Sequence, residues 1–217
     1  MSVLRGRAFA FGCALALGLA QADAPDGVTL LDHYLDGLQT LRANFSQTLT
    51  DSHGREIDRG AGTLVVARPG KLRWELRPQG ARDSAGELMV ADGKNVWFYD
   101  ADLQQVSVKP IDAGLSGTPA MLLSGAVDVR KNFMLSDAGA HDGLNWVNVA
   151  PRSADSDFRR ARLGFAKGDL SRMILEDKLG QTATIIFDHA VRNGPVAPDE
   201  VSFTPPAGVD VIGTPRS

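Results

Sequence analysis

Two periodicities divide the chain. From Val28 to Leu41 the apolar residues Leu30, Leu31, Tyr34, Leu35, Leu38 and Leu41 recur at steps of three and four, which predicts a helix with one apolar face. Asp26 or Thr29 can cap its start. From about Arg42 the spacing changes to short alternating runs broken by turn residues. In Asn44 to Thr50, Phe45, Gln47 and Leu49 share a face, and Asp51-Ser52-His53-Gly54 reads as a turn. Gly62 to Arg68 is a strand that stops at Arg68-Pro69-Gly70.

Lys71 to Arg77 alternates without a fault. Leu72, Trp74 and Leu76 point one way and four charged residues the other, so this strand has a dry and a wet face. Glu87 to Ala91 follows, and Asp92-Gly93 predicts a hairpin into Asn95 to Tyr99. Further strands are predicted at Gln104–Val108, Phe133–Leu135, Leu144–Ala150, Arg160–Phe165, Ser171–Asp177 and Thr182–Ala190. A short apolar helix, Thr118 to Ser124, interrupts them between Pro119 and Gly125.

The expected fold is therefore mainly β, with about ten or eleven strands in one antiparallel sheet, because the connections are short. So many strands must curl. A curled sheet with an apolar concave face needs a cover, and the helices near 28–41 and 118–124 can provide it. An ordinary closed barrel or sandwich with a filled core fits the same pattern.

The N-terminus reads as a targeting segment. Arg5 and Arg7 precede the apolar run Ala8 to Ala20, too short to span a bilayer. Ala20-Gln21-Ala22 and Ala22-Asp23-Ala24 both have the small-x-small form of a signal peptidase site. Residues 1–24 are expected to be removed after Ala22 or Ala24, leaving residues 25–217 as one exported domain. Cys13 lies in the removed part, in a poor lipidation context, so the mature chain has no disulfide.

The 217 residues carry 23 Lys and Arg against 26 Asp and Glu, and removal of 1–24 leaves a formal −4. That balance argues against nucleic acid and against permanent attachment to anionic lipid. Chemistry is sparse. There is no Gly-x-Ser-x-Gly elbow, and His33, His53, His141 and His189 lack metal-ligand spacing. Gly60-Ala61-Gly62 opens no helix and so makes no phosphate loop. No catalytic residue, metal or cofactor is expected. Arg68 ends a strand beside Val65 and Val66, and pattern alone favours reading it as a snorkelling surface arginine. Phe45, Leu72, Trp74, Leu76, Met89, Trp97, Tyr99, Met173 and Leu175 are candidates to line an apolar ligand cavity, or plain core; methionine suits pockets for ligands of variable shape.

Three segments in order carry a resemblance: Leu41-Arg42-Ala43-Asn44-Phe45-Ser46-Gln47, Ala67-Arg68-Pro69-Gly70-Lys71-Leu72-Arg73-Trp74, and Val90 to Asp100. With Thr118-Pro119-Ala120-Met121-Leu122-Leu123 and Phe203-Thr204-Pro205-Pro206-Ala207-Gly208-Val209, the chain resembles the LolA family of periplasmic outer-membrane lipoprotein carriers over nearly its whole mature length. The resemblance implies an unclosed β-barrel under a helical lid, and a monomer. It implies cargo taken from an inner-membrane ABC transporter, acyl chains shielded, and delivery to an outer-membrane receptor. It makes Arg68 a lid latch with partners near Leu35 and in Ala120 to Leu123. It places Leu31, Leu35, Leu38, Met121, Leu122 and Leu123 on the lid helices. It makes Leu72 a transporter contact, where better-studied members have phenylalanine. A lipid-sensing regulatory module of the same fold is the alternative.

Overall fold

The computed structural model describes residues 26–81, 86–111, 120–126, 128–154, 156 and 158–216. The proposed signal segment, Cys13, Thr118 and Pro119 lie outside the described residues.

A helix, α1 (Gly27–Asp36), leads into eleven strands whose pairings with one another are all antiparallel. They are β1 (Thr40–Thr50), β2 (Glu56–Ala67), β3 (Lys71–Pro78), β4 (Glu87–Asp92), β5 (Asn95–Asp100), β6 (Gln105–Pro110), β7 (Phe133–His141), β8 (Leu144–Pro151), β9 (Phe158–Ala166), β10 (Asp169–Asp177) and β11 (Thr182–Arg192). Two short helices, α2 (Ala120–Ser124) and α3 (Val129–Asn132), stand between β6 and β7. A 3-10 turn (Pro198–Val201) precedes a last strand, β12 (Asp210–Ile212).

All twelve strands join one sheet in the order β12-β6-β5-β4-β3-β2-β1-β11-β10-β9-β8-β7. β7 and β12 never meet, so the barrel is unclosed and the closed alternative is excluded. Two expectations need correction. The sheet gains a twelfth strand, and β12 runs parallel to β6. Parallel pairing needs a crossover, and the segment between Arg192 and Asp210 supplies it by running over the outer face. The helix ends earlier than its periodicity suggested, at Gly37. Leu38 and Leu41 keep their places in the core, but from the connector and from β1. A helical stripe and a strand alternation coincide over these few residues, and only the glycine cap separates them.

One core cluster fills the concave side. It unites Leu31, Tyr34 and Leu35 of α1, Leu38 of the connector and Met121, Leu122 and Leu123 of α2 with the inner rows of β1 to β5 and β7 to β11. A second, smaller cluster lies elsewhere: Val90, Trp97, Val106 and Val108, against Tyr99, Phe203 and Val209. Strand alternation assigns it to the outer face. There the C-terminal segment covers it, and Arg216 exchanges backbone hydrogen bonds with the Asn95 side chain at 2.8 and 3.1 Å.

Gly62 fixes the inner surface. A Cβ there would stand 1.8 Å from the Glu75 carbonyl and 2.6 Å from Cζ of Phe45. Only glycine lets β3 and the phenylalanine ring approach together at this point.

Candidate functional site

The inner face is built by register. Trp74, Met89, Phe98 and Ser107 are directly paired neighbours across β3, β4, β5 and β6. Phe45 pairs with Phe187 across β1 and β11 and stacks on Trp74, with ring centres 4.1 Å apart. Phe187 meets Trp74 edge-on at 6.3 Å. Beyond them Met173 and Ile185 form a pair, as do Leu175 and Ala183. An open cleft of about 370 Å³ enters this face between β3 and β6, lined by Trp74, Met89, Phe98 and the rim residues Glu87, Tyr99 and Asp100. Glu87 is held above the usual carboxylate range by burial, with Asp100 and Asp58 adding like charge.

Seven of the nine predicted cavity residues lie on this concave side: Phe45, Leu72, Trp74, Leu76, Met89, Met173 and Leu175. Trp97 and Tyr99 do not. Both belong to the outer cluster and pack on Phe203, at 5.8 and 6.1 Å between ring centres, although Tyr99 also reaches the cleft rim. Phe98, between them, is the inward aromatic of β5. Leu72, the expected transporter contact, has 0% exposure and packs in the main core cluster in this closed conformation.

The cover is held at the end of the barrel where β2 turns into β3. Nη1 of Arg68 donates to the carbonyl of Leu35 and, at 3.2 Å, to that of Leu38. These acceptors belong to the C-terminal end of α1 and its connector, where carbonyls lack helical partners and the helix dipole favours a cation. Arg68 is half-buried, and that burial lowers its pKa below the ordinary arginine value, while Asp36 acts in the opposite direction. On its other side the guanidinium lies against Gly125, which follows α2. A Cβ on Gly125 would stand 2.3 Å from Arg68 Nε, and this glycine has φ +66°. Among the described contacts, the guanidinium thus meets the lid just past the expected 120–123, at Gly125. The adjacent backbone supplies a bond, from the Gly70 N–H to the Ser124 carbonyl at 2.7 Å.

Pattern reading missed Phe98, Phe187 and Ile185 as inner residues, and Arg192 and Asn193 near α1. A usable signal existed for the last two: Arg192-Asn193-Gly194 ends a strand just as Arg68-Pro69-Gly70 does. Among the described residues, no group of three or more His, Cys, Asp or Glu is placed to hold a metal. No described helix is long and apolar enough to cross a membrane.

An unclosed barrel whose apolar concave face is roofed by short, hydrogen-bonded helices is the architecture of a binding protein for apolar chains. The family is settled by comparison: the model described as "Outer membrane lipoprotein carrier protein LolA" matches residues 36–204, and the chain belongs to that family. Outer-membrane lipoprotein carrier proteins of Dechloromonas aromatica and Chromobacterium violaceum are 43% and 38% identical to it. The first alignment covers 90% of both chains; the second covers 92% of this chain and 93% of its relative. Among solved structures, an uncharacterized conserved protein from Thermus thermophilus has the same fold, with a TM-score of 0.53 at 14% identity over 85% of this chain and 97% of that one.

Proposed function

We propose that this protein is a periplasmic carrier that shields the acyl chains of lipoproteins. It takes cargo from an inner-membrane ABC transporter and passes it to an outer-membrane receptor. The observation that carries the reading is the single apolar cluster in which the leucines of α1 and α2 occupy the concavity, closed by Arg68.

The physics favours this division of labour. Burial stabilises each methylene by about 0.8 kcal/mol, so two or three acyl chains represent roughly tens of kcal/mol and cannot cross water unescorted. An empty apolar groove would invite aggregation. In the closed state the lid leucines fill that groove, with Met121, Leu122 and Leu123 each 1% exposed or less. The remaining cleft of about 370 Å³ lies near the lower end of small-ligand pockets. Cargo therefore displaces the lid rather than slipping beneath it. Arg68, hydrogen-bonded only when the lid is down, biases the empty protein toward closure and cargo toward release. Residues 1–24 act as the export signal, the domain spans 25–217, and it works as a monomer without cofactor.

The test is release from spheroplasts of the source organism. Purified protein is added and the supernatant is probed for lipoproteins in complex with it. Release that depends on an active transporter is expected. No release, with the protein folded and the transporter active, overturns the reading.

A further inference from the structure

The C-terminal end of α1 is gripped from two sides. β1 leaves it through the Gly37–Gln39 connector, and β2 and β11 flank β1. Arg68 reaches in from the β2 side. From β11, Arg192 pairs across β1 with Leu41 and sends its guanidinium over the Tyr34 ring, 4.5 Å from the ring centre. Its Nη2 donates to the Tyr34 carbonyl at 3.3 Å, and Nη1 pairs with Asp169 at 3.4 Å. Asn193 continues the grip. Its Nδ2 donates to the Gly37 carbonyl at 2.9 Å, and its Oδ1 accepts from the Gln39 N–H at 2.8 Å.

We propose that Arg192, assisted by Asn193, is a second latch residue on α1, so that freeing the lid requires both arginines to let go. The proposal rests on the carrier reading above and extends it. The carbonyls of Tyr34, Leu35, Gly37 and Leu38 lie at the end of a helix, where backbone acceptors are left over. Two guanidinium groups and one carboxamide donate to all four, that of Leu35 also accepting the Leu38 N–H at 3.3 Å. Each cation also opposes the negative end of the helix dipole. Arg192 adds a face-on contact with an aromatic ring, which a lysine forms less well and cannot combine with two directed bonds. Gly37 belongs to the device. A Cβ there would stand 3.3 Å from Nη2 of Arg192, so a larger residue crowds the guanidinium. The sequence places the two arginines 124 positions apart, and only the neighbouring of β2, β1 and β11 brings them to one helix end.

The experiment is amide hydrogen exchange by mass spectrometry on the full protein without cargo, comparing wild type, Arg192→Gln, Arg192→Lys, Arg68→Leu and the Arg68→Leu/Arg192→Gln pair. Arg192→Gln is expected to speed exchange in 30–38 about tenfold, the equivalent of one lost charge-assisted hydrogen bond, with β1 and β2 unchanged. Arg192→Lys gives a smaller rise in the same segment, and serves if the glutamine variant does not fold. The pair exceeds either single variant. Wild-type exchange in 30–38 for both Arg192 variants overturns the proposal, as does acceleration spread equally over the sheet. Because no cargo is present, these outcomes are independent of whether the protein carries lipoproteins. In the spheroplast and receptor-membrane assays, Arg192→Gln should accept cargo and hand it over more slowly. Normal hand-over would remove Arg192 from the lid.

Discussion

The rings of Phe45 and Trp74 stack 4.1 Å apart at the centre of the concave face, on strands separated by β2. The Phe45 ring lies over Gly62, its partner on β2, where no side chain intervenes, while Trp74 pairs with Leu64 two residues along that strand. The glycine thus lets two aromatic side chains from non-adjacent strands meet.

Phe45→Ala should remove this contact and the edge-on contact with Phe187 at 6.4 Å. Phe45 is 3% exposed, so the loss leaves a cavity and costs about 3–5 kcal/mol, read as a lower urea midpoint at an unchanged slope. A change below about 1 kcal/mol would mean that the concave wall collapses to refill the space.

Trp74 and Trp97 should report cargo differently. Trp74 faces the cleft and is half-buried, whereas Trp97 sits on the outer face beneath Phe203. In variants that retain one tryptophan each, with the others changed to phenylalanine, an acylated peptide should shift the emission of Trp74 and leave that of Trp97 unchanged. A shift at Trp97 alone would place the ligand on the wrong face.

Arg68→Leu should leave lipoprotein acceptance intact and slow its transfer to receptor-bearing membranes. The empty closed state then loses its directed bonds to Leu35 and Leu38, while the apolar contacts remain. Transfer at the wild-type rate would refute the latch.

Gly125→Ala should resemble Arg68→Leu. The added Cβ cannot coexist with Arg68 Nε at 2.3 Å, and φ +66° is itself unfavourable for alanine. Combining the two substitutions should slow transfer no further than Arg68→Leu does alone, because both act on one contact. Independent, additive effects would show that Gly125 matters for another reason.

Asp92 should contribute to acid sensitivity. Burial raises its pKa, but hydrogen bonds from Trp97, Asn95 and Lys94 outweigh that and hold it below the ordinary carboxylate value. A folded pKa below the unfolded one means that the unfolded chain binds the proton first. The stabilisation is therefore complete above about pH 4 and is lost as pH falls through the folded value. Asp92→Asn should flatten the loss of thermal stability as pH falls below the ordinary carboxylate range. Parallel wild-type and variant curves would contradict this.

Much of the molecule was legible because local chemistry agreed with the final fold. The alternation of Lys71 to Arg77 fixed which side chains of β3 face inward, and Leu72, Trp74 and Leu76 do so. Asp92-Gly93 forms the β4–β5 turn, with Gly93 at φ +98°. The apolar runs of α1 and α2 ended in the same core as the sheet. α3, a single turn of Val-Arg-Lys-Asn capped by Asp128, gave too little pattern to detect.

What the sequence by itself determined was the alternation of wet and dry faces, the places where the chain turns, and a surplus of apolar side chains that needs a cover. Tertiary structure decided which of two apolar faces is the inside. In Val96-Trp97-Phe98-Tyr99 every residue is apolar or aromatic, so a period of two cannot say which pair faces the cavity. The choice depends on the C-terminal segment, more than a hundred residues away, which brings Phe203 to cover Trp97 and Tyr99 and leaves Val96 and Phe98 to the concavity. The convergence of Arg68 and Arg192 on one helix end was decided in the same way. Hydrogen-bond acceptors at a helix terminus are local, but the donors that satisfy them come from strands that only the order of the sheet makes neighbours.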